Sequence, residues 1–454
     1  MKNIFIKCLL ICLLLSSCSS AKYDKPTLSE ELGHDENISQ NFNIQKDWWK
    51  GYNNKELNNL IELALKNNPD NLKAALQIEK ELYNLNLATT DLFPTLGGNL
   101  STSSQRRIDK HDNASKNFSG EASLNYELDL YGKIRDAKAA QEFEYEATIL
   151  DKEAAELALV NNVVDLYFNL SYLNDSIQIS KQNVENYTKI YKIVNAKFQS
   201  GQIDELDVTK ARQSLVSEKI KLLDLETQFS DLERSLKNIV NLKPNEPLNL
   251  SYIPVLKQET LVVDLNVPLA VLSERPDLKA SQLRLEKAFK NMEIQDKNWY
   301  PNVSLRGVLG SSSNKARTTF DFPYILGSVG VDLPFLDWNR VKNNIKISEA
   351  DYQIELVNFK DTFTQALNET AYYSYAYDKT SDSLSFVEQK YQDSQKQTKY
   401  YQERYDTGKI ELKDLLDAIN SENSAQIELI KQKYMVVKYE GYVYKSLAGK
   451  YSKI

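Results

Sequence analysis

The sequence has few of the residues that chemistry needs. Its 454 residues include 2 histidines, 3 methionines and 3 cysteines. His34 stands in a polar N-terminal stretch and His111 in a charged loop, so neither has a base or metal partner nearby. Gly97-Gly98 opens a strand and is followed by no GKS or GxGxxG context, which excludes a phosphate loop. The 63 acidic residues guarantee carboxylate pairs by chance, so no pair marks an acid–base dyad. No catalytic set, metal site or cofactor is expected. Cys8 and Cys12 fall inside the first 17 residues, leaving Cys18 as the one thiol of the mature chain. An exported chain without disulfides must find stability in size or assembly. After the N-terminal segment no run of about 18 apolar residues exists, which excludes a helical membrane span. Basic residues are in deficit too. Without Lys2 and Lys7 the chain carries 54 Lys and Arg against 63 Asp and Glu, a balance of −9. That speaks against nucleic acid as partner. It suits a water-filled, cation-favouring lumen, and equally a solvated acidic surface.

Residues 1–17 are read as a targeting segment. Lys2 and Lys7 give a basic start, and Cys8 to Leu15 is a short apolar run. Leu15-Ser16-Ser17-Cys18 resembles a bacterial lipoprotein signal, cleaved before Cys18, with lipid such as palmitate added to that thiol. The outer membrane is then the expected place of the mature chain. Residues 18–50 are polar and aperiodic, with Pro26 and Gly33 as breakers, and read as an N-terminal tether. Trp48-Trp49 closes it and is expected to anchor it on the folded body.

The rest is organised around 118–135. Phe118, Gly120, Ala122, Leu124, Tyr126, Leu128 and Leu130 alternate with Ser119, Glu121, Ser123, Asn125, Glu127 and Asp129. A period of two predicts a strand with one oily and one wet face. After Gly132 the pattern becomes helical. The same switch recurs near residue 335, where Ile325, Gly327, Val329, Val331, Leu333 and Phe335 alternate before Asp337-Trp338-Asn339-Arg340. The two switches are 207 residues apart (338 less 131), and the same offset relates Pro69-Asp70 to Pro276-Asp277, Phe93-Pro94 to Tyr300-Pro301, Gly201 to Gly408 and Ala211 to Ala418. The chain is internally duplicated.

The first repeat is expected over 51–241. Helices start at Lys55 and at Asp70, the second ending at Phe93-Pro94. A hairpin of strands at about 95–104 and 118–130 follows, then a helical hairpin over 132–241. Its first arm has no proline or glycine between Gly132 and Gly201, which at ~1.5 Å per residue makes it about 100 Å long. Asp204 or a neighbour caps the returning helix. A linker covers 242–268. The second repeat, 269–454, has a helix at 276–298, strands at about 302–312 and 324–335, and a helical hairpin over 337–447 with its tip at Gly408. Tyr372, Tyr373, Tyr375 and Tyr377 are read as helix packing.

Each chain thus offers four strands, of a length fit for a tilted transmembrane strand. Four strands cannot close a barrel, and open edges are not tolerated in lipid. Several chains must share one barrel. The long helices must pack side by side as coiled coils. The expected fold is an α+β membrane protein, its four strands contributing to a shared barrel continued by an α-helical tube.

The chain resembles the TolC-like outer-membrane efflux proteins, and more closely their lipoprotein branch. The matching pieces are Leu15-Ser16-Ser17-Cys18, Glu127-Leu128-Asp129-Leu130-Tyr131-Gly132-Lys133, Arg275-Pro276-Asp277-Leu278, Trp299-Tyr300-Pro301, Pro334-Phe335-Leu336-Asp337-Trp338-Asn339-Arg340 and the glycine tips. The resemblance implies a homotrimer with a twelve-stranded barrel and a helical barrel crossing the periplasm. It implies passive export of small molecules handed over by a periplasmic membrane-fusion adaptor and an inner-membrane pump. It implies that the periplasmic end closes at the helical tips, with a pore gate made of an acidic ring at Asp414 and Asp417 and tip-to-tip polar contacts at Tyr405 and Asp207. Ile410 stands where the family's arginine is expected, with Lys409 and Lys413 as substitutes. Two other readings stay open: the exit duct of a type I protein-secretion system, and a non-conducting coiled-coil spacer lipoprotein. The lipobox favours the efflux duct over the first, and the alternating strands count against the second.

Overall fold

The computed structural model describes residues 26–27, 42–109, 113–248, 250–321 and 323–453. Cys18, His34 and His111 lie outside the described residues, and so does the signal segment.

Two short helices come first, α1 (Lys55–Asn67) and α2 (Pro69–Thr90). Asn68, not Asp70, opens the second. Its side chain accepts from Asp70 N at 3.0 Å and Asn71 N at 3.1 Å, and Pro69 takes the first helical position, where its missing N–H costs nothing. Strands β2 (Thr95–Gln105) and β3 (Ser115–Leu128) make the first hairpin. The helical hairpin that follows has a 67-residue arm, α3 (Lys133–Gln199), and a 35-residue arm, α4 (Glu205–Ile239). The second repeat gives α5 (Pro276–Asp296), β4 (Asn302–Ser313), β5 (Pro323–Asp332), α6 (Trp338–Asp406, 69 residues) and α7 (Leu412–Ser446, 35 residues). β5 stops short of Phe335 because Pro334 has no N–H for the ladder and starts a 3₁₀ turn instead.

The four long strands form one antiparallel sheet in the order β2-β3-β4-β5. In the helical part α3 packs on α4, α5 and α7, α6 packs on α5 and α7, and α2 lies on α3. The helices therefore stand in a row. Near the sheet the order is α2-α3-α5-α6, and toward the tips it is α4-α3-α7-α6. The shorter arms α4 and α7 cover only the lower half of α3 and α6, and α2 and α5 cover the upper half.

Two features escape local sequence patterns. Residues Phe42–Gln45, inside the expected tether, form strand β1, which pairs antiparallel with β6 (Lys450–Lys453) at the other end of the chain. The stretch expected as a linker is strapped to the body, with Val255, Leu261 and Val263 buried. The core sits where these meet. Trp48 is 1% exposed, packs on Tyr444 at 5.2 Å and Tyr52 at 6.2 Å, and fastens the N-terminal segment to α7. Arg275 closes the same region. Buried at the start of α5, it binds Asp277 at 2.7 Å, Glu369 of α6 at 3.0 Å and the Ser446 carbonyl of α7 at 2.9 Å.

Candidate functional site

Three surfaces carry chemistry: the sheet, the helical tips and the two edges of the helix row.

The sheet is two-faced across all four strands. Register sets Leu96 beside Leu124, Gly98 beside Ala122, Ala122 beside Leu309, Tyr126 beside Leu305, Leu305 beside Val329 and Leu309 beside Ile325. Because antiparallel partners point the same way, these residues make one continuous apolar face. Ile325 and Leu96 are more than four-fifths exposed on it. An exposed apolar face of this extent belongs in lipid. The other face carries Ser101 bonded to Ser119 at 2.8 Å and Arg306 paired to Glu121 at 2.7 Å. It is mostly polar, with Val308, Tyr324 and Leu326 as exceptions, and its arginine is paired to a carboxylate, which suits a water-filled lumen. The outer edges of strands β2 and β5 pair with nothing among the described residues.

At the root of the sheet, aromatic rings gather. Tyr131 stacks on Tyr300 at 4.6 Å, Trp299 meets Trp338 at 4.6 Å, and Phe93 is exposed beside Pro94. Tyr131 and Trp338 are equivalent positions of the two repeats. Amphipathic rings at the end of an apolar band mark the level of lipid headgroups.

Both tips are built alike. Gly201 (φ +74°) and Gly408 (φ +71°) sit in left-handed turns that end α3 and α6. In each, the glycine N–H donates three residues back, to Phe198 O or Tyr405 O at 2.9 Å. The next N–H donates five back, to Lys197 O or Arg404 O at 2.9 Å. No atom lies within 4 Å of a Cβ added at either glycine, so backbone conformation alone demands them. Beside the turns an apolar cluster of Ile190, Val194, Val208, Ala211 and Leu416 holds α3, α4 and α7 together.

The residues expected at the pore fall here. Asp414 is half-buried in the first turn of α7. Its carboxylate accepts from Glu411 N at 3.4 Å, and Glu411 caps the helix reciprocally. Asp417, one turn on, accepts from Lys413 Nζ at 3.0 Å, and that contact raises the Lys413 pKa above its ordinary value. Tyr405 and the exposed Asp207 are not hydrogen-bonded to each other within the chain. The ion pair that does join the tips is Lys197 with Glu411, linking the end of α3 to the start of α7. Periodicity could not reveal it, because it depends on which tips are neighbours. No group of three residues able to hold a metal ion occurs among the described residues, and no helix among them is long and apolar enough to cross a membrane.

The edges of the helix row are unfinished. On α6, Ile347, Ala350, Ile354 and Val357 are exposed at spacings of three and four, a coiled-coil seam with no partner among the described residues. On the opposite edge α2 exposes Leu72, Leu76, Tyr83 and Leu87, and α4 exposes Val216, Ile220 and Leu223.

The family model described as outer membrane efflux protein matches residues 60–242 and 267–449, two stretches displaced by the same offset as the repeats. The chain is 36% identical to the toxin and drug export protein A of Aggregatibacter actinomycetemcomitans, covering 92% of this chain and 91% of that protein. It is 23% identical to the probable outer membrane lipoprotein SilC of Salmonella typhimurium, over 85% and 84% of the two. Among solved structures, the Campylobacter jejuni CmeC outer membrane channel superposes with a TM-score of 0.80 at 26% identity, covering 95% of this chain and 93% of that one.

Proposed function

The chain belongs to the outer membrane efflux protein family, and from that premise we propose that it is the exit duct of a tripartite efflux system, passing small molecules across periplasm and outer membrane. It is an outer-membrane efflux channel and not an enzyme. It works as a homotrimer, receives cargo from an inner-membrane pump through a periplasmic adaptor, and is held to the outer membrane by lipid on Cys18. One observation carries this reading. The same chain joins an open-edged sheet with a lipid face to a helix row with two apolar edges. Head-to-tail contact of such edges closes into a ring. Three copies with four strands each complete a barrel and a tube together.

Purified mature protein is expected to run in detergent at three times the chain mass, with lipid on Cys18. In a planar bilayer it is expected to open steady, cation-preferring pores. A monomer without conductance would sink the duct and promote the coiled-coil spacer. A relative named for toxin as well as drug export favours one second reading, the duct of a type I protein-secretion system. Loss of a secreted polypeptide, rather than of small-molecule resistance, in cells lacking the chain would select it.

At the tips, Asp414 and Asp417 form the acidic pore ring, with Lys413 as the internal counter-charge, and Tyr405 meets Asp207 of a neighbouring copy. Asp414→Ala with Asp417→Ala is expected to weaken block by divalent cations and to reduce cation preference. Three copies lose six carboxylates in a confined space, where field effects are largest. Conductance and selectivity equal to the parent's would remove these residues from the gate.

A further inference from the structure

Between the apolar tip cluster and the main core, a buried polar slice crosses three helices. Asn423 of α7 donates to Asn183 Oδ1 of α3 at 2.8 Å, and Asn183 donates to Glu218 Oε1 of α4 at 3.3 Å. Ser180 donates to the same Glu218 oxygen at 2.9 Å. One turn nearer the tip, Asn186 donates to Asn420 Oδ1 at 3.4 Å. Asn183, Ser180 and Asn420 are buried, and the Glu218 side chain is 11% exposed. Asn420 Nδ2 is buried without a partner.

The slice is placed with regularity. On α3, Asn183 lies between Ile177 and Ile190. On α7, Asn423 lies between Leu416 and Ile430. On α4, Glu218 lies between Ala211 and Leu225. Each helix thus passes from apolar packing through one polar layer and back. A buried amide in a coiled coil lowers stability and in return fixes register, because any slip leaves it unpaired. An open groove of about 470 Å³, lined by Tyr187, Ser214, Ser217 and Glu218 among others, lets water reach this layer. Hydration lowers the cost of parting it. The layer is also linked to the expected pore. Tyr187 of α3 has its pKa raised by burial and then by the charges of Asp417 and Glu218, so one ring faces both the layer and the pore acid.

We propose that Asn183 and Asn423 are positioning residues of the channel: they lock the register of α7 against α3, holding Asp417 at the closed tip, and mark the plane where the two hairpins part on opening. This rests on the reading that the tips close the pore.

The test uses the full-length trimer in a planar bilayer. N183L/N423L replaces the amide pair by an ordinary apolar layer. It is expected to assemble, with Ser180 still donating to Glu218, and to show resting conductance raised several-fold because register is no longer specified. Parental resting conductance would overturn the lock. Should the double leucine variant not assemble, N183C/N423C carries the test, since Cys18 is the mature chain's one native thiol and is expected to be lipid-blocked. Joined by a short bifunctional thiol reagent, it is expected to stay at the resting level under voltages that open the untreated variant. Cross-linked channels that open as freely as untreated ones would refute the proposal. The tip reading fails separately. Unchanged D414A/D417A channels beside leaky N183L/N423L channels would dismiss the aspartates and keep the lock. The reverse pattern would dismiss the lock and keep the gate.

Discussion

Val357→Asp is expected to yield a folded chain that no longer assembles. Val357 is 65% exposed in the isolated chain and touches no core, so the substitution leaves the fold of one copy intact. It belongs to the seam Ile347, Ala350, Ile354 and Val357, whose three-four spacing is that of a helix awaiting a partner. A closed ring buries that seam, and each copy then buries one unpaired carboxylate. Such a charge costs several kcal/mol at each interface. With three interfaces per ring the penalty exceeds what ordinary association supplies. Light scattering in detergent should give the mass of one chain, with helical circular dichroism unchanged. Leu76→Asp on the opposite edge should do the same. A trimer from both variants would place the subunit contact elsewhere and take away the closure argument.

The architecture was legible where the pattern is local. The strand faces could be read from Phe118 to Leu128 because a period of two needs only neighbours, though the alternation runs on to Leu130, which lies in the turn beyond the strand. The duplication showed because Tyr131-Gly132-Lys133 and Trp338-Asn339-Arg340 keep their distance. The glycine tips showed because only a left-handed turn demands glycine between two long helices. What stayed hidden depends on contacts between remote segments. β1 and β6 are four-residue strands from opposite ends of the chain, too short to carry a period. Asn183, Asn420 and Asn423 look like solvated coiled-coil positions until a third helix covers them. Lys197 and Glu411 belong to different repeats and become partners only because the two tips stand side by side. Of the expected pore residues, the sequence located Asp414 and Asp417 on one helix face. It could not say that one also caps α7 and the other pairs with Lys413.

Glu440 is the second site where a large effect is expected, and there the variable is pH. It lies on α7 fully buried, accepting from Tyr52 Oη at 2.9 Å. Burial pushes its pKa from 4.5 to about 8, against the opposing pull of the Leu261 N–H, the Tyr52 hydroxyl and the charges of Lys433 and Lys450. Tyr444 and Tyr377 face the same pocket. A carboxyl whose folded pKa is raised binds its proton more tightly folded than unfolded. Its contribution is therefore most favourable below about 4.5 and is lost as pH rises to about 8, beyond which it is constant. Each pH unit inside that window costs on the order of 1.4 kcal/mol. Glu440→Gln keeps an oxygen for Tyr52 and removes the ionisation. It should melt near the parent at pH 5 and several degrees above it at pH 8, flattening the parent's decline. Parallel melting curves for parent and variant across that range would mean that the carboxyl is charged and paired in the fold. The effect matters for function because Glu440 and Tyr444 fasten Tyr52 and Trp48 to the helix that carries Asp414 and Asp417. A chain that loosens this clasp loosens the end of α7 opposite the tip. Resting conductance of the parent should therefore rise between pH 5 and pH 8 and stay level in the glutamine variant.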